Sequence, residues 1–131
     1  MLKQFSISIG LLCILCSSLP VNAHHSHAMF DTAKRISISG TVVEFEYTNP
    51  HSWLKVTNDA DGSLWSFETN SPSQLLRKGI KRTALPAGMK ISVTAMPLKD
   101  GRNGGQIVSV KKEDGSTLAI EPEAPTAGYA P

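Results

Sequence analysis

The segment RISISGTVVEFEYTNP, residues 35–50, alternates apolar and polar side chains over most of its length. Alternation with a period of two predicts a β-strand that buries one face. Its apolar residues form two sets of opposite parity: Ile36 and Ile38, then Val43, Phe45 and Tyr47. The parity changes near Gly40, and a glycine inside a strand often marks a bulge or a bend. We therefore expect one long, bent strand that ends at Asn49-Pro50, because proline has no N–H for the ladder.

Further strand patterns follow along the chain, separated by turn signals. They are SWLKVTN, LWSFET, KISVTAMPL, QIVSVKKE and a short STLAI. The residues expected to point inward include Leu54, Val56, Trp65, Phe67, Ile91, Val93 and Ala95. By the same alternation, Glu44, Glu46 and Glu68 belong to a solvated face, and Met96 points outward. The sequence therefore predicts five or six strands.

A single short helix is predicted between the third and fourth strands, in NSPSQLLRKG. Ser71 suits the N-cap, Pro72 suits the first helical position, and Gln74 completes a capping box. Gly79 suits the residue just after a helix of about two turns. A long bent strand, two more strands, a helix and then further strands is the order expected of a mainly β, OB-like barrel of five to six strands. A plain β-sandwich is the alternative fold.

The first 23 residues have the pattern of a secretory signal peptide. Lys3 precedes an apolar stretch too short to span a bilayer well, and a small-residue segment ends at Ala23. Cleavage after Ala23 would make His24 the first residue and would remove both cysteines of the chain. A membrane anchor is the alternative that the short apolar stretch disfavours. We therefore expect a periplasmic or secreted protein with no membrane span after cleavage.

The rest of the chain is expected to form one domain. Residues 24–35 are a histidine-containing N-terminal segment, residues 36–120 the barrel, and residues 121–131 a flexible tail rich in proline and alanine. Without Lys3, 12 Lys and Arg residues stand against 11 Asp and Glu, so no nucleic-acid partner is expected. The chain has no G-x-S-x-G motif, and cleavage would leave no cysteine nucleophile, so no enzyme is predicted.

Three of the four histidines lie in HHSHAMFD, directly after the expected cleavage site, and the fourth is His51 in TNPHSW. An N-terminal histidine offers its α-amine and its imidazole Nδ1 to one metal ion. A second imidazole completes a three-nitrogen site that suits Cu(II). The sequence therefore predicts a copper site in which His24 combines with His25 or His51. Cleavage one residue earlier would instead favour a square-planar chelate around His25.

Four blocks, HHSHAMFD, GTVVEFEYTNPHSWLKV, SPSQLLRKG and MPLKDGRNGG, resemble those of a family of small exported bacterial proteins known only as a domain of unknown function. The resemblance runs from His24 to about Leu118. It implies a single secreted β-domain without an established activity. It also implies a bulky apolar residue at the position of His27, which makes His24, His25 and His51 the better metal ligands.

Two functions are therefore expected from the sequence. The first is copper binding in the cell envelope through His24, His25 and His51. The second is a module that binds a small non-metal ligand or an envelope protein. In that case His51 would be structural and would cap its turn through a backbone hydrogen bond.

Overall fold

The computed structural model describes residues 28–121 of the 131-residue chain. Its strands are β1 Ile36–Glu46, β2 Ser52–Asn58, β3 Leu64–Thr69, β4 Lys90–Pro97, β5 Gly104–Lys112 and β6 Thr117–Ala119. Helix α1 spans Pro72–Arg77, and a 3-10 turn covers Arg82–Ala84. The predicted mainly β fold with one short helix after the third strand is confirmed. The predicted signal peptide, residues 24–27 and most of the predicted tail lie outside the described range.

The five longer strands close into a barrel. Neighbouring strands follow the order β3-β2-β1-β4-β5-β6, and β3 also pairs in parallel with β5. A Cβ on Gly104 would lie 2.5 Å from the carbonyl oxygen of Ser66 in β3. A Cβ on Gly105 would lie 2.3 Å from the carbonyl oxygen of Met96 in β4. Glycine is therefore required where β5 passes between its two neighbours, and the closed ring excludes the plain β-sandwich.

Strand β1 pairs with β2 on one side and with β4 on the other. Its register with β2 shifts between Val42 and Glu44, so Val43 is the extra residue of a bulge. Val42 is buried, whereas Val43 is 46% exposed. The change of parity that the sequence placed near Gly40 lies at this bulge. Gly40 instead allows close approach of β2, since a Cβ there would lie 2.2 Å from the Thr57 carbonyl oxygen.

The barrel interior is filled by the apolar residues that the alternation predicts. Buried among them are Leu54, Val56, Phe67, Ile91, Val93 and Ala95. Trp65 is half-buried and stacks on Phe67, with the ring centroids 5.8 Å apart. Met96 lies in a separate cluster with Phe30 and Val108. The prediction that Met96 points away from the main core is confirmed. Met96 is nevertheless buried, because Phe30 covers it.

The residues before β1 are tied to the loop that follows β4. The Asp31 amide donates to the Pro97 carbonyl at 2.8 Å, and the Lys99 amide donates to the Met29 carbonyl at 2.9 Å. Lys99 Nζ also donates to the Ala28 carbonyl at 2.8 Å. The segment that follows the histidine run is therefore held against the barrel from its first described residue onward. No helix within residues 28–121 is long and apolar enough to cross a membrane.

Helix α1 confirms the predicted capping box. The Ser71 hydroxyl accepts a hydrogen bond from the Gln74 amide, and Gln74 Oε1 accepts one from the Ser71 amide at 3.1 Å. Leu75 is the buried residue that joins the helix to the core. Gly79 has a φ of 77°, which glycine adopts without strain, and the helix ends just before it. The helix therefore begins and ends where its local sequence predicts.

Loss of the cap should be measurable as a loss of stability. Ser71→Ala removes the N-cap acceptor and is expected to lower the free energy of unfolding by about 1 kcal/mol. The measurement is a urea titration, in which the midpoint falls while the slope stays constant. Ser73→Ala, two residues further along, is the control: its hydroxyl lies 3.2 Å from Ser71 Oγ but caps no backbone amide, so its effect should be clearly smaller. Equal midpoints for the two variants would mean that the capping box does not stabilise the domain.

Candidate functional site

Of the three predicted ligands, His51 lies within the described residues, whereas His24 and His25 lie outside them. His51 is in the loop between β1 and β2, directly before Ser52. Its Nδ1 contacts Oε1 of Glu68, in β3. The imidazole side chain is 39% exposed, and that of Glu68 is 7% exposed. A half-exposed imidazole therefore contacts a buried carboxylate.

The burial of Glu68 corrects the sequence prediction. The alternation of β3 places Glu68 outside the barrel, on the face opposite Phe67, and the prediction equated that face with solvent. At this position the outer face is covered, because His51 packs on it from the preceding loop and Gln106 is its partner on β5. The direction of the side chain was predictable from the alternation, but its burial was not.

Glu44 and Glu46 behave as predicted for a solvated face. Lys55, on the neighbouring strand, contacts both carboxylates, with its Nζ 3.0 Å from Glu44 Oε2. The hydrogen bond from Lys55 holds the pKa of Glu46 below its usual value. These exposed ion pairs contribute little to stability, so Glu68 is the carboxylate that distinguishes the site.

The loop that carries His51 is fixed at both ends. Thr48 Oγ1 donates to the His51 carbonyl at 3.0 Å, and the Ser52 amide donates to the Asn70 carbonyl at 3.1 Å. The Asn49-Pro50 peptide bond in the loop is cis. The Asn-Pro turn was predicted from the sequence, and the structure shows that it holds the His51 backbone beside the end of β3. The imidazole is thereby positioned over Glu68.

The contact with Glu68 determines which ring nitrogen of His51 is available. A neutral imidazole that donates its Nδ1 proton to a carboxylate keeps its lone pair on Nε2. Metal-binding histidines are commonly supported in this way, because the carboxylate fixes the ring and raises the basicity of the ligating nitrogen. The structural alternative predicted a backbone partner for the ring, whereas the partner of Nδ1 is a carboxylate. The contact therefore leaves Nε2 as the ring nitrogen that is not engaged by Glu68.

A polar cavity of about 340 Å³ opens beside the His51–Glu68 pair. Thr69 and Gln106 also line it and are 3% and 7% exposed. Neither Thr69 Oγ1 nor Gln106 Oε1 has a hydrogen-bond partner in the described part of the chain. Buried polar atoms are ordinarily hydrogen-bonded, so these two oxygens, which have almost no exposed surface, are exceptions among the residues around the cavity. Sequence reasoning missed both residues, because no local pattern marks them and only the closure of the barrel brings their strands together.

A second cavity, of about 290 Å³, shares Glu68 with the first. Its walls include Met29, Phe30, Trp53 and Arg102. Met29 and Phe30 belong to the anchored segment that follows the histidine run. Glu68 therefore lines both the cavity beside His51 and the cavity beside the anchored segment.

Metal-binding groups of three or more His, Cys, Asp or Glu side chains are not found within residues 28–121. His51 supplies one imidazole nitrogen in that range. A metal ion at His51 would therefore need further donors from residues outside this range or from solvent.

Comparison with known proteins identifies the family of the chain and no individual relative. A family described as a family of unknown function, DUF6152, matches residues 12–117, which is most of the chain. No curated protein and no solved structure matches the chain. The family match confirms the resemblance carried by the HHSHAMFD and TNPHSW blocks and assigns no role to any residue. On this match, the chain belongs to the DUF6152 family.

Proposed function

We propose that this protein is an exported copper-binding protein of the cell envelope. Signal cleavage after Ala23 creates an N-terminal His24, whose α-amine and imidazole Nδ1 chelate Cu(II). His51 supplies the third nitrogen through Nε2, and His25 is the alternative source of that nitrogen. Three nitrogens in one plane suit the tetragonal geometry that Cu(II) prefers.

The contact between His51 Nδ1 and Glu68 is the observation that carries this proposal. Burying a carboxylate costs free energy unless it is paired. The buried Glu68 therefore favours the orientation of the His51 ring in which Nδ1 faces the carboxylate. That orientation directs the unprotonated Nε2 away from the carboxylate. The negative charge of Glu68 also offsets part of the charge of a bound cation, which favours a metal over a neutral ligand.

The anchored N-terminal segment supports the same proposal. Ala28 is hydrogen-bonded to Lys99, and Met29 lines the cavity that shares Glu68 with that of His51. An extended chain covers about 3.3 Å per residue, so His24 reaches roughly 13 Å from Ala28. Neighbouring strands lie about 4.8 Å apart, so this reach covers more than two strand spacings. Only β5 lies between β4, whose following loop holds Ala28, and β3, whose Glu68 contacts His51, so two strand spacings separate these strands.

Replacing the supporting carboxylate tests the proposal. Glu68→Gln keeps the size of the side chain and an oxygen that accepts a hydrogen bond from Nδ1–H, but it removes the charge. Cu(II) affinity is expected to fall about tenfold, at the lower end of the range for lost supporting partners. The measurement is competition for Cu(II) against a chelator of known affinity. Glu46→Gln, the same change at a surface position, is the control and should leave the affinity unchanged.

Processing is the second point to test. Mass spectrometry of the exported protein should find His24 as the first residue, and one Cu(II) per chain after metal is added. The reason is that the proposed chelate needs a free α-amine on His24. An exported product that retains Cys16 would contradict the cleavage site, and a product that starts at Ala23 would shift the chelate to His25.

The second cavity favours one alternative function, a module for a small non-metal ligand or a partner protein. Trp53 and Arg102 both line a cavity of about 290 Å³, where they supply an aromatic ring and a guanidinium whose Nε is paired with Asp100. The two functions differ in their response to copper. A ligand that binds only the folded protein raises its Tm, so copper held by both His24 and His51 should stabilise the barrel. An unchanged Tm in excess Cu(II) would favour the binding module.

A further inference from the structure

The cavity of about 290 Å³ lies on the outer face of strands β2 and β3. Trp53 and Glu68 are register partners on these two strands, so their side chains lie on the same face. The loop between β4 and β5 contributes Arg102 and Asn103 to the walls, and the anchored segment contributes Met29. In five-stranded Greek-key barrels, the face of the second and third strands and this loop are where oligonucleotides and oligosaccharides bind.

Among the apolar side chains of the wall, an aromatic ring and a thioether are open to solvent. Trp53 is 36% exposed, and Met29 is 42% exposed. Trp65, by contrast, stacks on Phe67, and its Nε1 donates to Ser63 Oγ at 3.0 Å. Trp53 therefore offers its ring to a ligand, whereas Trp65 belongs to the packing of the barrel.

The charged groups of the wall are already paired. Glu68 contacts His51, and Arg102 Nε donates to Asp100 Oδ2 at 2.8 Å. The other polar side chains of the wall are the neutral Ser66 and Asn103. A neutral ligand fits this wall better than an ion, because an ion would find no unpaired opposite charge there. An oligonucleotide is disfavoured for the same reason, since its affinity comes largely from lysine and arginine side chains that neutralise phosphates.

We propose that this cavity binds a neutral glycan, with one pyranose ring lying on Trp53. The inference names the ligand class of the alternative function given above for the same cavity, and it does not depend on copper. A pyranose has apolar C–H faces and a rim of hydroxyl groups. Its face packs on the aromatic ring, and its hydroxyls bond to Ser66, Asn103 and the guanidinium N–H groups that Asp100 does not engage.

The apolar part of the wall favours sugars that carry an acetamido group. Met29 and Leu98 line the cavity together with the Asn103 amide. The methyl of an acetamido group packs on the first two side chains, while its N–H and C=O suit an amide partner. Ligand sites generally combine an apolar wall with a few directional polar groups in this way. An oligomer of N-acetylglucosamine is therefore the probe that matches the cavity best.

Calorimetric titration of the metal-free protein with the linear tetrasaccharide of N-acetylglucosamine tests the proposal. We expect saturable binding, together with a blue shift of the tryptophan fluorescence as the ring of Trp53 loses contact with water. A single-stranded oligothymidylate of four nucleotides should not bind at the same concentrations. The absence of binding to the tetrasaccharide would overturn the proposal, as would tighter binding of the oligonucleotide.

Two variants show whether the glycan occupies this cavity. Trp53→Ala removes the aromatic surface and is expected to lower the affinity about tenfold or more, as truncation of a central tryptophan commonly does. Asn103→Ala, in an exposed loop, should lower it about threefold or more, the factor typical of one lost hydrogen bond. Leu76→Ala truncates an exposed apolar residue of α1 outside the cavity and should leave the affinity unchanged.

Circular dichroism confirms that each variant is folded, and Asn103→Ala decides the question if Trp53→Ala fails to fold. Unchanged affinity in either folded variant would overturn the proposal, because the glycan would then bind elsewhere on the protein.

Glycan binding and copper binding fail independently of each other, because the titration contains no metal and Trp53 and Asn103 are not proposed copper ligands. Binding of the tetrasaccharide by a protein whose Tm does not respond to Cu(II) would support this inference and refute the copper function. A Tm raised by Cu(II) without glycan binding would do the reverse. If neither ligand binds, this inference is overturned and the cavity is left to a different small ligand or to a partner protein.

Discussion

A three-residue extension ahead of His24 is expected to weaken Cu(II) binding by about a hundredfold or more. The extension keeps every imidazole but converts the His24 nitrogen into a peptide amide. Two donors carried by one residue bind as a unit, and linking two binding groups raises the overall affinity by about 10²- to 10⁴-fold. Loss of the amine as a donor therefore removes this gain in Cu(II) affinity. Competition titrations of the native and extended proteins against a chelator of known affinity measure the loss.

The length of the extension matters for this experiment. One added residue would place His25 third in the chain, and two would place His24 third. A histidine in the third position forms a square-planar Cu(II) chelate with the new amine and two deprotonated amides, which would hide the loss. Three added residues avoid both chelates. Equal affinity of the native and three-residue-extended proteins would mean that the amine is not a ligand, and the proposed mechanism would be wrong.

Local features of the fold are predictable from the sequence. The inward positions of Leu54 and Val56 follow from alternation, and the capping box of Ser71 and Gln74 follows from residues three positions apart. Both depend on neighbours within one element. The bulge at Val43 depends on how β1 pairs with β2, and such pairing between strands is not written in the local pattern of either one.

The closure of the barrel was harder to predict for the same reason. Gly104 and Gly105 end the segment KDGRNGG, and clustered glycines such as these usually indicate a loop. Their requirement for a missing Cβ arises only when Ser66 and Met96 approach from two other strands. The strand order predicted the type of barrel, but not the residues at which it closes.

The residues of the candidate site also differ in whether the sequence alone could predict them. His51 was identified by residue type and by its position in a loop, both of which the sequence displays. Glu68 was assigned to solvent, because alternation reports only which side of a strand a residue is on, and not what covers that side. Thr69 and Gln106 carry no local signal, and they meet through the parallel β3–β5 pairing. The roles of His24 and His25 lie outside the described residues and stay predictions.

Comparison of His51→Ala with His25→Ala should show whether the barrel takes part in copper binding. If His51 is the third donor, His51→Ala is expected to lower Cu(II) affinity about a hundredfold, because it removes one of three linked donors. His25→Ala should leave the affinity within about twofold. The reverse result, with binding lost in His25→Ala and kept in His51→Ala, would identify a local chelate in the tail and leave the barrel with another function.

The same substitution should also destabilise the metal-free protein. His51→Ala leaves Glu68, whose side chain is 7% exposed, without its imidazole partner. An unsatisfied buried polar group costs about 1–3 kcal/mol, so the urea midpoint should fall by a corresponding amount. His51→Ala combined with Glu68→Leu removes both partners and should recover much of the lost stability without recovering copper affinity. Recovery of stability alone would separate the structural contribution of the pair from its contribution to metal binding. If His51→Ala leaves the midpoint unchanged, the contact with Glu68 is too weak to orient the ring, and the main support for His51 as a ligand is lost.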